Sequence, residues 1–336
     1  MSFDVLIKTS KYTIRPIVLD GVTWETERLG TPSKLTFTVV KDKTLGELEG
    51  FAEGDEVYLY VNNVWVFKGF IFEKSRDKEH HIQVTAYDQL RYFVNKETYQ
   101  YTNKRADEVL KIMADKFRLN TGTIDNTGFK IGARDEDNQT IFDIVLNALD
   151  LTYDATGKDY VLYDYCGFLM LQDKESLKVD TLIEAGTAEN FDYTTSIDRD
   201  TFNYVKIRQE TDDAKVRNVY IVEDSTLQGK WGILRFVLDV DKDSNAVNLA
   251  NTIINLKGRK THDLRIQGVK GDINVRAGFM VPVTLDVGDV VHQNKWMQCE
   301  SVTHNIYADN HTMDITMLDT TTRDSSNKLT VNKNNE

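Results

Sequence analysis

Cysteine and proline are both scarce: Cys166 and Cys299 are the only two cysteines, and three prolines serve 336 residues. The cysteines lie far apart and match neither a CxxC zinc pair nor a disulfide-dense secreted module, so a reducing compartment is expected. Little proline beside 15 Tyr and 15 Phe argues against disorder and for β-rich packing. No window approaches the ~20 apolar residues that cross a bilayer. The start, "MSFDVLIKTSKYTIRP", has no basic lead ahead of an apolar core, so a soluble protein made in the cytoplasm is expected. Positive charge is also short, with 41 Lys and Arg against 53 Asp and Glu and a net charge of −12. No basic stripe exists to neutralise phosphates. Neither sequence-specific nucleic-acid binding nor stable membrane insertion is expected.

Enzyme signatures are missing too. No HExxH, GxSxG, P-loop or Rossmann glycine pattern occurs, so metallohydrolase, acyl-transfer, phosphoryl and dinucleotide chemistry have no anchor. The candidates that remain are weak ones. His80 and His81 are adjacent, so in a strand they face opposite ways and do not share one ion; they read as a solvated strand end. "DVDKDSNAVNLA", Asp239 to Ala250, begins like a calcium loop but has Ser244 for the turn glycine and Ala250 for the bidentate Glu. It reads as a polar turn in which Asp243, Ser244 or Asn245 caps the next helix. "ARDEDNQT", Ala133 to Thr140, clusters Asp135, Glu136 and Asp137, but a consecutive run does not set two carboxyls across a cleft; a solvated loop is expected. Trp24, Trp65, Trp231 and Trp296 are read as packing residues rather than sugar platforms. Neither catalytic residues, cofactor-binding residues nor metal ligands are assigned, and no cofactor is expected.

What is present is alternation. "KLTFTVV", "EVYLYV", "VWVFKGFIFEK" and "HIQVTAYD" run at period two between Lys34 and Asp88, and Asn62-Asn63 suits a two-residue hairpin turn. After Tyr101 the period becomes helical. "NKRADEVLKIMADKFRL" aligns Ala106, Val109, Leu110, Met113 and Phe117, with Asn103 as the expected cap. "TIFDIVLNALDLT" aligns Ile141, Ile144, Val145, Ala148 and Leu149, capped by Thr140 or Asn138. "DYVLYDYCGFLMLQD" then predicts strand, turn at Cys166-Gly167, and strand. From Asn190 strands return, interrupted by one helix, "NAVNLANTIINLK", that stops at Gly258.

The expected class is α+β, mainly β: two related small β-barrel domains, residues 1–95 and 186–323, flank an α/β insert of residues 96–185, with a flexible tail at 324–336. A weak repeat links the ends. Gly54 leads to a hairpin containing Trp65 and then "HIQVTAYD"; Gly278 leads to one containing Trp296 and then "HTMDITMLD".

The order of these segments resembles one known group. "DGVTWETERLGTPSKLTFTV", "EGDEVYLYVNNVWVFKGFIF" and "VTAYDQLRYFVNKETYQY" run into "ADEVLKIMADKF" and "GTIDNTG". Near the other end come "NLANTIINLKGRK", "LRIQGVKGD", "VRAGFMVPVTL" and "KWMQCESVTHNIYADNHTMDITML". Together they resemble the baseplate hub proteins of contractile phage tails and tail-like bacteriocins, the PBSX-type hub and late control protein D group. The resemblance implies a homotrimer whose six barrels join a hexameric tail tube to a trimeric central spike. Tube-initiator, tape-measure and wedge proteins are further implied neighbours, and the implied location is a particle baseplate assembled in the bacterial cytoplasm. The role implied is structural, not enzymatic. The alternatives are a tail-associated peptidoglycan hydrolase using the carboxylates at 135–137 and a carbohydrate-binding module using tryptophans.

Overall fold

The computed structural model describes residues 2–40, 50–79, 81–184, 188–198, 200–212, 216–240, 242, 244–286, 291–319 and 327–335. The front of the chain gives β1 (Phe3–Lys8), β2 (Thr13–Ile14), β3 (Val18–Glu27), β4 (Lys34–Val39), β5 (Glu56–Val61), β6 (Val64–Arg76) and β7 (Ile82–Tyr87). Leu35, Phe37 and Val39, then Val57, Leu59 and Val61, then Ile82, Val84 and Ala86 are buried at every second position. A one-residue slip would turn each set to solvent, so burial fixes the register. Asn62 and Asn63 take φ of 49° and 63°, the left-handed pair that a tight hairpin needs, and Val61 pairs with Val64 as the sequence predicts.

The middle gives β8 (Lys96–Tyr101), α1 (Ala106–Lys116), β9 (Thr121–Ile124), β10 (Arg134–Thr140), α2 (Ile141–Thr156), β11 (Tyr160–Tyr165) and β12 (Phe168–Asp173). The apolar faces read from the sequence meet in one core, with Leu110, Met113, Ile141, Ile144, Leu169 and Leu171 fully buried. Side chains of this size stabilise by about 1.5–3 kcal/mol each when buried. Two local expectations change. Asn103 lies at φ 54° in the preceding turn, and α1 begins after Arg105, whose backbone N–H donates to Glu108 Oε2 at 2.8 Å. "ARDEDNQT" is not a solvated loop: it is β10, paired antiparallel with β8, and Glu136 is buried. Its charge hid the strand, because an edge strand with polar residues on both faces carries no hydrophobic period. Thr140 caps α2 as expected, its Oγ1 accepting from the Asp143 N–H at 3.1 Å.

The back gives β13 (Ile183–Glu184), β14 (Asn190–Ser196), β15 (Tyr204–Glu210), β16 (Arg217–Glu223), α3 (Ser225–Trp231), β17 (Arg235–Val240), α4 (Ala246–Lys257), β18 (Thr261–Lys270), β19 (Met280–Asp286), β20 (Val291–Ile306), β21 (His311–Leu318) and β22 (Thr330–Asn335). These strands divide between two sheets. β17, β15, β16 and β22 form a sheet of four, with Val205, Ile207 and Val222 packed on Ala250, Ile253 and Ile254 of α4. Thr330–Asn335, expected as part of a flexible tail, is thus a strand antiparallel to β16; its lysine and asparagines offered the sequence reading no apolar pattern.

The other strands of the back join those of the front in one sheet of 13, with the path β14-β18-β21-β20-β3-β4-β7-β6-β5-β1-β2, β19 beside β20 and β13 beside β19. β3 and β20 make the join, antiparallel from Ser301↔Glu27 to Ile306↔Val22. The molecule is mostly β. Among the described residues the strand pairings do not close into a barrel.

The two ends share one connectivity. β3-β4-β7-β6-β5 in front and β14-β18-β21-β20-β19 behind have the same order, and every pairing in both is antiparallel. The β6·β7 ladder shifts between Ile71 and Glu73, and the β20·β21 ladder shifts at the matching place, between Cys299 and Ser301. This register equates Phe70 with Gln298, Tyr87 with Leu318 and Ile82 with Met313. It also corrects the tryptophan match: Tyr58↔Lys68 corresponds to Pro282↔Trp296, so Trp296 stands in the place of Lys68, not of Trp65. Spacing along the chain misled here because the hairpin turns differ in length.

Candidate functional site

Since no catalytic constellation is legible, the candidate site is the place where the two strand sets and the insert meet. Alternation along β3 turns Trp24 inward, and the β3·β20 register sets His304 opposite it. The rings stack with centroids 4.7 Å apart and planes 17° apart. His304 Nε2 lies 3.0 Å from the Val275 carbonyl oxygen. A carbonyl only accepts, so Nε2 carries the proton and Nδ1 is left as acceptor for His311 Nε2, 3.0 Å away. Burial, reinforced by the neighbouring His311, pushes the His304 pKa down to about 3. The pair is therefore a neutral hydrogen-bonded couple inside the core.

Arg276 lies buried under this stack, its guanidinium 5.1 Å from the Trp24 ring and 5.4 Å from the Tyr163 ring. Its Nη2 donates to the Asp164 carbonyl at 2.6 Å. Two buried carboxyls are close enough to feel it. Asp88 accepts from the N–H groups of Ser33 at 3.1 Å and Leu90 at 3.0 Å, capping the 3-10 turn Gln89–Val94. Asp164 accepts from Gly167 N–H at 2.7 Å. Burial raises both pKa values, Asp164 further because Asp88 repels it, while Arg276 partly offsets the rise. Among the described residues, Trp24 Nε1, Asp164 Oδ2 and Arg276 Nε have no hydrogen-bond partner, an arrangement that costs stability unless water enters.

The β11–β12 hairpin wedges this junction. Cys166 and Gly167 turn it at φ of 52° and 86°, as the sequence predicts. Cys166 Sγ donates to the Trp65 carbonyl at 3.4 Å, and burial pushes its thiol up to about 11. Tyr163 meets Phe279 edge to face at 5.3 Å. A Cβ on Gly278 would come within 2.2 Å of Val161, so only glycine lets the hairpin seat there. One hairpin thus touches both strand sets, through Trp65 in front and through Arg276, Gly278 and Phe279 behind.

The other candidates scatter. His81 closes a turn: its backbone N–H donates to Asp77 Oδ1 at 2.9 Å, and its Nδ1 lies 3.1 Å from Asp77 Oδ2. Asp77, Glu79 and His81 are the one group among the described residues whose ligand atoms, all within 4.8 Å of one another, could hold a metal ion; the hydrogen bonds already account for their closeness. His80, Asp241 and Asp243 lie outside the described residues. Asn245 caps α4, accepting from Asn248 N–H at 3.1 Å, and Asp239 pairs with Arg208 at 2.6 Å. On β10, Asp135 is exposed and Glu136 buried beside Arg134, so they face opposite ways and do not form an acid–base pair. None of the four tryptophans is exposed. Sequence reasoning missed Arg276, Asp88, Asp164 and the His304–His311 pair. Only the return of a histidine near each closing strand hinted at them; a lone arginine in "NVRAGF" gives no signal.

A family profile described as YQBQ-like matches residues 22–318. The PBSX phage-like element protein XkdQ of Bacillus subtilis strain 168 is 29% identical over 313 residues, 91% of this chain and 94% of that protein. Among solved structures, the 43 kDa tail protein of prophage MuSo2 from Shewanella oneidensis superposes with a TM-score of 0.65 at 12% identity, covering 94% of this chain and 98% of that one. The E. coli c3393 protein, described as a type VI secretion component similar in structure to the T4 tail proteins gp27 and gp5, gives a TM-score of 0.56 at 10% identity, covering 96% of this chain and 77% of that one.

Proposed function

The chain belongs to the YQBQ-like family, and on that footing we propose that it is the structural hub of a contractile-tail baseplate. In this reading it is a non-enzymatic homotrimer that joins a hexameric tail tube to a trimeric spike. Residues 1–95 and 186–323 supply two related barrel-like domains, and residues 96–185 supply an insert. The observation that carries the proposal is the doubled strand arrangement: the same five-strand order occurs twice in one chain. Three such chains present six similar surfaces, which is how a trimer matches a sixfold partner. A relative that belongs to a phage-like element and a fold shared with a prophage tail protein support the same reading. So does the polar junction, whose buried groups hold three parts of the chain together.

Light scattering of the purified chain, alone and mixed with the spike and tube proteins encoded with it, tests this. A trimer, or trimerisation on the spike, is expected. A monomer that binds neither protein overturns the proposal. The competing hydrolase reading expects a cleared band on peptidoglycan zymograms that disappears in Asp135→Asn or Glu136→Gln; none is expected here.

A further inference from the structure

We infer that the outer edge of β6 at Glu73–Ser75 receives β14 of a second copy of this chain, in the register that β20 gives to β3 within one chain. The inference rests on the trimeric reading and specifies its interface. The strand equivalence supplies the register. Ser301, Val302 and Thr303 of β20 correspond to Glu73, Lys74 and Ser75 of β6, because each set follows the matching ladder shift beside β21 or β7. Glu27, Thr26 and Glu25 of β3 correspond to Ser196, Thr195 and Thr194 of β14, through their pairing to β4 and β18. Within the chain Ser301 pairs with Glu27, Val302 with Thr26 and Thr303 with Glu25. The same junction between chains sets Glu73 against the partner's Ser196, Lys74 against the partner's Thr195, and Ser75 against the partner's Thr194.

Both edges await a strand. β14 ends the path of the sheet, and β6 beyond Ile71 is paired by β7 alone among the described residues. Such edges invite another chain.

A second observation points to the same partner. Just past β3, Arg28 forms an ion pair with Glu300 and its N–H donates to the Glu300 carbonyl at 2.9 Å. The residue in the place of Arg28 is Ile197, and the one in the place of Glu300 is Phe72. Both members are charged in the contact within the chain and apolar in the contact proposed between chains. Phe72 packs its ring on Tyr87, Tyr92 and the Arg91 guanidinium and is still 36% exposed in the single chain, open surface that the partner's Ile197 covers in this register. The contact is head to tail, one chain's β6 to the next chain's β14, so it generates a ring or a filament rather than an isolated dimer.

The test combines cross-linking with a charge exchange on the full chain. Ser75→Cys with Thr194→Cys is expected to give disulfide-linked species that stop at three chains on a non-reducing gel, while Ser75→Cys with Asn190→Cys, out of register, gives none. Phe72→Glu is expected to lower the assembled fraction at least tenfold in light scattering, and Phe72→Glu with Ile197→Arg, which rebuilds the Arg28–Glu300 pairing between chains, to restore it. Trimers that neither cross-link at these cysteines nor respond to Phe72→Glu overturn this interface and leave the trimeric reading standing. A chain that stays monomeric even with its spike overturns both.

Discussion

Gly54 and Gly278 hold the same position in two copies of one strand arrangement. Their N–H groups donate to the carbonyls of Ile71 at 2.8 Å and Cys299 at 2.7 Å, and in return Ile71 donates to Asp55 and Cys299 to Phe279 at 3.0 and 2.9 Å. Both glycines take positive φ, 93° and 87°. Side chains share little between the copies; the backbone pattern is what persists.

That equivalence has a measurable asymmetry. Alanine at either glycine incurs the conformational cost of positive φ, about 1–2 kcal/mol. At Gly54 the added Cβ meets nothing within 4 Å, whereas at Gly278 it meets Val161 at 2.2 Å. Gly278→Ala should therefore lower the thermal midpoint clearly more than Gly54→Ala. Equal shifts would mean that the β11–β12 hairpin is not seated as described.

Acid should destabilise the junction through His304. The unfolded chain binds that proton below its ordinary value of about 6.5, while the folded chain resists it down to about 3. The stability contribution is thus present above about pH 6.5 and lost as pH falls through this window, by up to about 1.4 kcal/mol per pH unit. His311, Arg276 and Asp272 face the same ring. In His304→Gln the fall in thermal midpoint between about pH 6.5 and about pH 4.5 should be shallower than in the wild type.

Asp164 acts with the opposite sign. Its folded pKa is raised by burial and by Asp88, so its protonated form contributes stability that is lost as pH rises through that raised value. Asp164→Asn keeps the acceptor for Gly167 N–H and is never charged. The variant should melt above the wild type in alkaline buffer, with the gap closing toward pH 5, as read by calorimetry across the pH range.

The Asn62-Asn63 turn should improve with glycine. Asn63 already sits at φ 63°, where glycine has no Cβ penalty. Asn63→Gly should raise the thermal midpoint slightly by removing the Cβ penalty of the left-handed turn, and Asn63→Val should lower it.

Local elements were legible where one face is apolar. The β5–β6 hairpin, the faces of α1 and α2 and the Cys166-Gly167 turn follow from period, caps and turn residues alone. β10 and β22 escaped because polar residues occupy both of their faces, so that only the ladder partner defines them. Which sheet a strand joins was equally hidden, since β15–β17 and β18–β21 read alike until their partners are known. The site was the least legible part. Arg276 meets Asp164 and Trp24 from positions 112 and 252 residues away in sequence, and no local pattern encodes such a meeting. The duplication was visible in outline at Gly54 and Gly278, but its register came only from the ladders.

The most direct test of the account is an electron cryomicroscopy reconstruction of the particle that contains this chain. The account predicts three copies arranged as a ring of six similar strand sets, at the level where the tube meets the spike. Any other copy number, or a position outside that junction, would contradict it.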